Sequence, residues 1–118
     1  MKSRGLQSLP LLILVALLGC SCRDEVISTV SSPDGLHTAT ILSKDCGATT
    51  SEYTRVTVRP GPGGSGDQVV FAARYPQRIG LSWKGPSDLV VRCDSCRDEQ
   101  ITFQLLREGT LRISYELP

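Results

Sequence analysis

The residues with most chemistry to offer in this 118-residue chain are its five cysteines, Cys20, Cys22, Cys46, Cys93 and Cys96. Cys93-Asp94-Ser95-Cys96 is a C-x-x-C. In thioredoxin-like enzymes the first cysteine of such a pair sits at a helix N-terminus, which lowers its pKa and makes it nucleophilic. Here the pair falls between two strand-like segments, Leu89–Arg92 and one starting near Ile101, with Arg92 and Arg97 on either side. Those arginines could stabilise a thiolate, but the pattern offers no helix. A zinc ribbon needs two C-x-x-C pairs on facing knuckles. This chain has one, with Cys46 as the third ligand that would have to be recruited. A structural disulfide is the favoured reading. Cys93 and Cys96, spaced as i and i+3 across a turn, can reach bridging distance. Cys46 bonded to either of them is the alternative, closing a longer loop worth about 3–4 kcal/mol of unfolded-chain entropy. Cys22 is the cysteine expected to stay unpaired.

Other constellations carry less. Gly61-Pro62-Gly63-Gly64-Ser65-Gly66 spells G-x-G-x-x-G, and Asp88 follows at roughly the spacing of a ribose-binding acid. A dinucleotide site also needs a helix opening inside the glycines. Pro60 and Pro62 obstruct that turn, so a hairpin loop is expected. His37 is the only histidine, and it reads as a strand-edge residue near solvent on a strand running to Ser43. No serine lies in a G-x-S-x-G elbow and no H-E-x-x-H occurs. Asp98-Glu99 reads as a solvated hairpin end, and Trp83 as a core anchor. No catalytic residue, cofactor site or metal site is assigned.

The compartment decides how the thiols behave. Lys2 and Arg4 precede the apolar run Leu11–Leu18, which is too short to span a bilayer, where about 20 apolar residues are needed. It has the form of a secretory signal. Leu17-Leu18-Gly19-Cys20 resembles the lipobox of bacterial lipoproteins, which makes Cys20 the expected lipidation site and the membrane the expected partner. Acyl chains contribute about 0.8 kcal/mol per buried CH₂, so two or three of them hold a domain almost permanently. Ser21, in place of Asp, resembles an outer-membrane sorting residue. The expected organisation is a signal peptide over 1–19, a lipidated cysteine with a short tether over 20–25, and one β domain over 26–118. Exported cysteines normally oxidise, which again favours the disulfide. The overall formal charge is only +1, and cleavage would remove two of the basic residues. No basic stripe exists to neutralise phosphates, so no nucleic-acid partner is expected.

The elements that must position these groups are strands. Apolar residues alternate at period two in Ile79/Leu81/Trp83, Ile101/Phe103/Leu105 and Leu111/Ile113/Tyr115/Leu117, and Val56 and Val58 mark a shorter segment. Ser32-Pro33-Asp34-Gly35 fits a type I turn. Lys84–Asp88 separates two strands, and Arg107-Glu108-Gly109-Thr110 is expected to join the last two. Gln68–Arg74 is ambiguous, since Ala72 and Ala73 would suit a helix. The chain is therefore expected to be all-β, a small antiparallel sandwich or partly open barrel of about seven strands.

Taken together, the lipobox, Ser32-Pro33-Asp34-Gly35, Asp45-Cys46-Gly47-Ala48-Thr49-Thr50, Leu81-Ser82-Trp83 and Leu89-Val90-Val91-Arg92-Cys93 with Cys96 resemble a group of small bacterial lipoproteins whose domain carries no assigned activity. The resemblance implies a secreted, lipid-anchored β domain and transfers no catalytic residue. Asp45 can form an Asx-turn, and Asp45, Thr49 and Thr50 together make a candidate polar binding loop. The expected function is that of a non-catalytic interaction or structural module, anchored in the cell or outer membrane of a bacterium, with an envelope protein as a further partner. The alternative is an envelope thiol-disulfide or metal-handling protein using Cys93 and Cys96.

Overall fold

A computed structural model describes residues 23–45, 52–59 and 66–118. They form nine strands: β1 (Arg23–Ser31), β2 (Thr38–Asp45), β3 (Tyr53–Arg59), β4 (Gln68–Arg74), β5 (Ile79–Gly85), β6 (Asp88–Cys93), β7 (Ile101–Gln104), β8 (Arg107–Glu108) and β9 (Leu111–Glu116). A single 3₁₀ turn, Asp98–Gln100, precedes β7. One sheet has the order β1-β2-β3-β4-β7 and the other β5-β6-β9-β8. The expected all-β sandwich is observed, with neither sheet closed into a barrel.

Several expectations are corrected in detail. The strand number rises because Gln68–Arg74 is a strand and because Arg107–Glu108 adds a short one. The second sheet is mixed rather than purely antiparallel: β6 and β9 run parallel, from Asp88↔Arg112 to Arg92↔Glu116. The chain can place them so because between them it crosses to the first sheet through β7 and returns through β8. Arg107–Thr110 consequently closes the β8–β9 hairpin rather than joining β7 to the last strand, and Gly109 takes the positive φ of 61° that this turn needs. The first strand starts earlier than expected. Arg23, Asp24 and Glu25 belong to β1, paired with Asp45, Lys44 and Ser43. Asp98 and Glu99 sit in the 3₁₀ turn, not at a hairpin end.

The glycine-rich segment lies largely outside the described residues, but its flanks are informative. β3 and β4 are antiparallel neighbours, and Arg59 pairs with Asp67 at 3.0 Å. A strand hairpin surrounds the glycines, which is incompatible with a dinucleotide-binding βα turn.

Alternation explains the core. Ala39, Ile41, Val56, Val58, Phe71 and Ala73 face inward from the first sheet, and Leu89, Val91, Cys93, Leu111 and Ile113 meet them from the second. Each large side chain buried this way contributes about 1.5–3 kcal/mol. Phe103 breaks its expected pattern. A register shift between Ala72 and Ala73 places it opposite Ala72 on the outer face, 42% exposed, while Ile101 and Leu105 pack against the core.

Polar ties fasten the two sheets at specific points. The Ser32–Gly35 turn is closed by Gly35 N–H to Ser32 O at 2.9 Å. Ser32 Oγ donates to Asp34 at 2.6 Å and accepts from His37 N–H at 3.1 Å. The Ser32 hydroxyl, then the Leu36 N–H, hold the Asp34 carboxyl below its usual range. The turn delivers His37, just before β2 rather than within it, against Trp83 of the other sheet, with the rings stacked at 6.1 Å and 16°. His37 is thus half-buried, not a solvent-facing edge residue. Trp83 Nε1–H also donates to Val30 O at 3.2 Å.

Tyr115 makes the second tie. Its hydroxyl reaches from β9 across to the carbonyl oxygens of Val70, at 3.0 Å, and Leu105. Burial pushes this hydroxyl up to about 12. The folded value lies above the unfolded one, so its contribution to stability is complete below about pH 10 and is lost as the pH rises toward 12. Tyr115→Phe is expected to cost about 1 kcal/mol at neutral pH and to flatten the fall in melting temperature between about pH 10 and 12. An equally steep fall in the variant would refute this assignment.

Candidate functional site at the disulfide end

Strand register brings the predicted site elements toward one end of the sandwich. Arg23 lies opposite Asp45, Tyr53 opposite Arg74, Ala73 opposite Ile101, and Ile79 opposite Cys93. The start of β1, the ends of β2 and β4, and the Cys93–Cys96 turn therefore share that end. Asp45 and Glu52, the described residues flanking the rest of the candidate polar loop, are there too.

Cys93 and Cys96 are joined, with Cα atoms 5.5 Å apart. The local pairing is thus the one observed. Both residues are buried, at 0% and 2% exposure, so an incoming thiolate meets protein rather than open sulfur. The chain after Cys96 enters a single 3₁₀ turn, which supplies no α-helix N-terminus to activate a thiolate.

The bridge anchors a connected polar cluster. Ser95 Oγ lies 3.7 Å from Cys93 Sγ, donates to Gln77 Oε1 at 2.8 Å and accepts from Arg78 N–H at 3.1 Å. Gln77 Nε2 donates to Arg74 O at 2.7 Å and to Gln100 Oε1 at 3.1 Å. Gln100 Oε1 also takes the Arg97 N–H at 3.0 Å, reaching back over the start of the 3₁₀ turn. Thr54, buried on β3, completes the chain of bonds: its hydroxyl donates to Tyr75 O at 2.9 Å and accepts from Gln77 N–H at 3.0 Å. Each buried polar atom in this chain of bonds has a partner, so the cluster rigidifies the loops instead of leaving a polar cost.

Tyr75 is the strained member. It has φ of 68°, the sole positive φ outside glycine among the described residues, and it precedes Pro76, which disfavours helical backbone before it. Its N–H is held by Glu52 O at 2.6 Å. Strain of this kind costs about 1–3 kcal/mol and persists where surrounding bonds over-determine it. The result is an exposed aromatic residue at an end that also carries the exposed Arg74, Arg78 and Arg97. Arg92 is committed to Asp94 at 3.1 Å, which raises its pKa.

Chemically, this end offers a fixed mosaic of amide, guanidinium, carboxylate and phenol groups suited to contact with another surface. Among the described residues no group of three or more His, Cys, Asp or Glu side chains is placed to hold a metal, and no helix is long and apolar enough to cross a membrane. Of the predicted site residues, Cys93 and Cys96 are brought together and Asp45 ends β2 as an exposed residue. Cys20, Cys46, Thr49 and Thr50 lie outside the described residues, as does Cys22. Sequence reading missed Thr54, Tyr75, Gln77 and Gln100. The one available signal was Pro76 between two strand-like segments, which marks a turn without naming its bonds. Comparison of the chain with models of known protein families, with curated proteins and with solved structures finds no match.

Proposed function

We propose that the chain is a non-catalytic interaction or structural module of the bacterial cell envelope, held at a membrane through lipid on Cys20. The observation that supports this most directly is the position of β1. The strand begins at Arg23, three residues after the lipobox-like cysteine, so an anchor there would attach the sandwich to the bilayer with almost no spacer. The same strand end lies with Asp45 and the disulfide cluster, so the rigid polar mosaic would stand beside the anchor, open to other envelope proteins along the membrane. Cys20→Ala is expected to abolish the mass increment of acylation and to remove the protein from the lipid-anchored membrane fraction. Wild-type protein without added lipid mass, or unchanged fractionation of the variant, would overturn the reading.

The rival, a thiol-disulfide protein, draws on the Cys93–Cys96 bridge itself. It requires a readily reducible pair with an oxidising potential. Burial of both cysteines favours the structural role, and resistance of the native bridge to millimolar glutathione separates the two.

A further inference from the structure

Among the described residues four strands form the sheet edges, and three of them discourage further pairing. β7 has four residues and β8 has two. β5 carries Gly80, Lys84 and Gly85, residues that weaken or obstruct an edge. β1 differs. It is nine residues long, exposed at every position except Val30, and among the described residues it is paired only with β2. Its segment Val26–Ser31 reads VISTVS, without charge, glycine or proline and dominated by β-branched residues. Val26 and Ile27 are 62% and 57% exposed. An edge of this composition presents unpaired N–H and C=O groups that another strand can satisfy.

We propose that this edge pairs with the β1 edge of a second copy of the chain, antiparallel about a two-fold axis near Ile27 or Ser28, so that two sheets become one. The charge order of the strand selects this arrangement. Arg23, Asp24 and Glu25 crowd one end, and antiparallel pairing centred on Ile27 sets them against the uncharged Thr29–Ser31 segment of the other copy. In-register parallel pairing would instead set each charge on its like. Asp24 is already neutralised by Arg55 at 3.0 Å. The β1 backbone also has a bulge between Val26 and Ser28. A regular foreign strand would keep register with one side of that bulge only, whereas a second copy brings the same irregularity to the axis. An isologous two-fold interface needs just one self-complementary surface.

Cysteine cross-linking in the full chain tests this. Ser28→Cys, oxidised under mild conditions and compared with the parent carrying the native cysteines, is expected to give a product of twice the chain mass. Leu106→Cys is the reference, since Leu106 is 67% exposed and follows β7, at the opposite edge of the sheet from β1. The Ser28→Cys product should exceed it by about 5-fold or more, and adding Ile27→Lys should lower it about 10-fold by placing like charges at the axis, with the far-ultraviolet circular dichroism unchanged. Equal cross-linking at positions 28 and 106 would overturn the proposal. So would a product whose mass reports a different protein, or undiminished cross-linking in a folded Ile27→Lys variant.

Discussion

Replacing both Cys93 and Cys96 by Ala is expected to lower the stability of the domain by about 2–4 kcal/mol. The bridge spans a sequence separation of three, and a loop so short removes about 2 kcal/mol of unfolded-chain entropy. The remainder comes from the cavity left where two fully or almost fully buried side chains were. A domain of this size loses roughly 4–8 °C of melting temperature per kcal/mol, so a fall on the order of 10–25 °C is expected. The effect should also be directional. Ser95 lies within 3.7 Å of Cys93 Sγ and holds both Gln77 and the Arg78 backbone, so amide exchange should quicken first around residues 75–78 and 95–100. The Ser32–His37 turn at the other end should keep its protection. Uniform loss of protection would mean that the bridge stabilises the whole sandwich through the unfolded state alone, without fixing the loops. Native protein treated with glutathione and an alkylating reagent should remain unmodified at Cys93 and Cys96 until a denaturant is added.

How much of this was legible depends on the range of the interaction. Period-two alternation identified the inward faces of β5 and β9 correctly, because the pleat alone decides which side chain points to the core. The Ser32–Gly35 turn was readable for the same reason, since its hydrogen bonds are all local. Sheet partnership was not. Nothing in Leu89–Arg92 or Leu111–Glu116 announces that they pair in parallel, because that depends on a crossover through the other sheet. Phe103 departs from the alternation because an extra residue at the β4–β7 register shift turns it to the outer face, a local irregularity that the spacing of Ile101, Phe103 and Leu105 does not announce. At the candidate site, the C-x-x-C was visible as a motif, but its polar support joins residues 18 and 23 positions apart. Gln77 and Gln100 have no distinguishing local sequence, so the cluster could be recognised only once the strands were in register. The β1 edge is intermediate. Its composition was plain, while its exposure depended on the strand order.

The largest single-residue effect should fall at Phe71. Phe71→Ala is expected to cost about 3–5 kcal/mol, a large share of the roughly 5–15 kcal/mol available to a typical domain. Phe71 is wholly buried and its ring packs 5.6 Å from that of Tyr115. Tyr115 in turn depends on that packing to hold its hydroxyl against Val70 and Leu105. Truncation would therefore empty a site between the sheets and loosen the tie that crosses them, two losses that cannot both relax by local collapse. Phe103→Ala supplies the comparison. The same side chain is removed from β7, but from an outer face where it is 42% exposed, and the cost should stay within about 1 kcal/mol. Urea unfolding of the two variants should thus separate by at least about 2 kcal/mol. Equal costs would mean that Phe103 faces the core after all, which would require the β4–β7 bulge to be absent so that Phe103 shares the face of Ile101. The two phenylalanines test the same register from opposite sides of one sheet, so their difference measures the bulge itself.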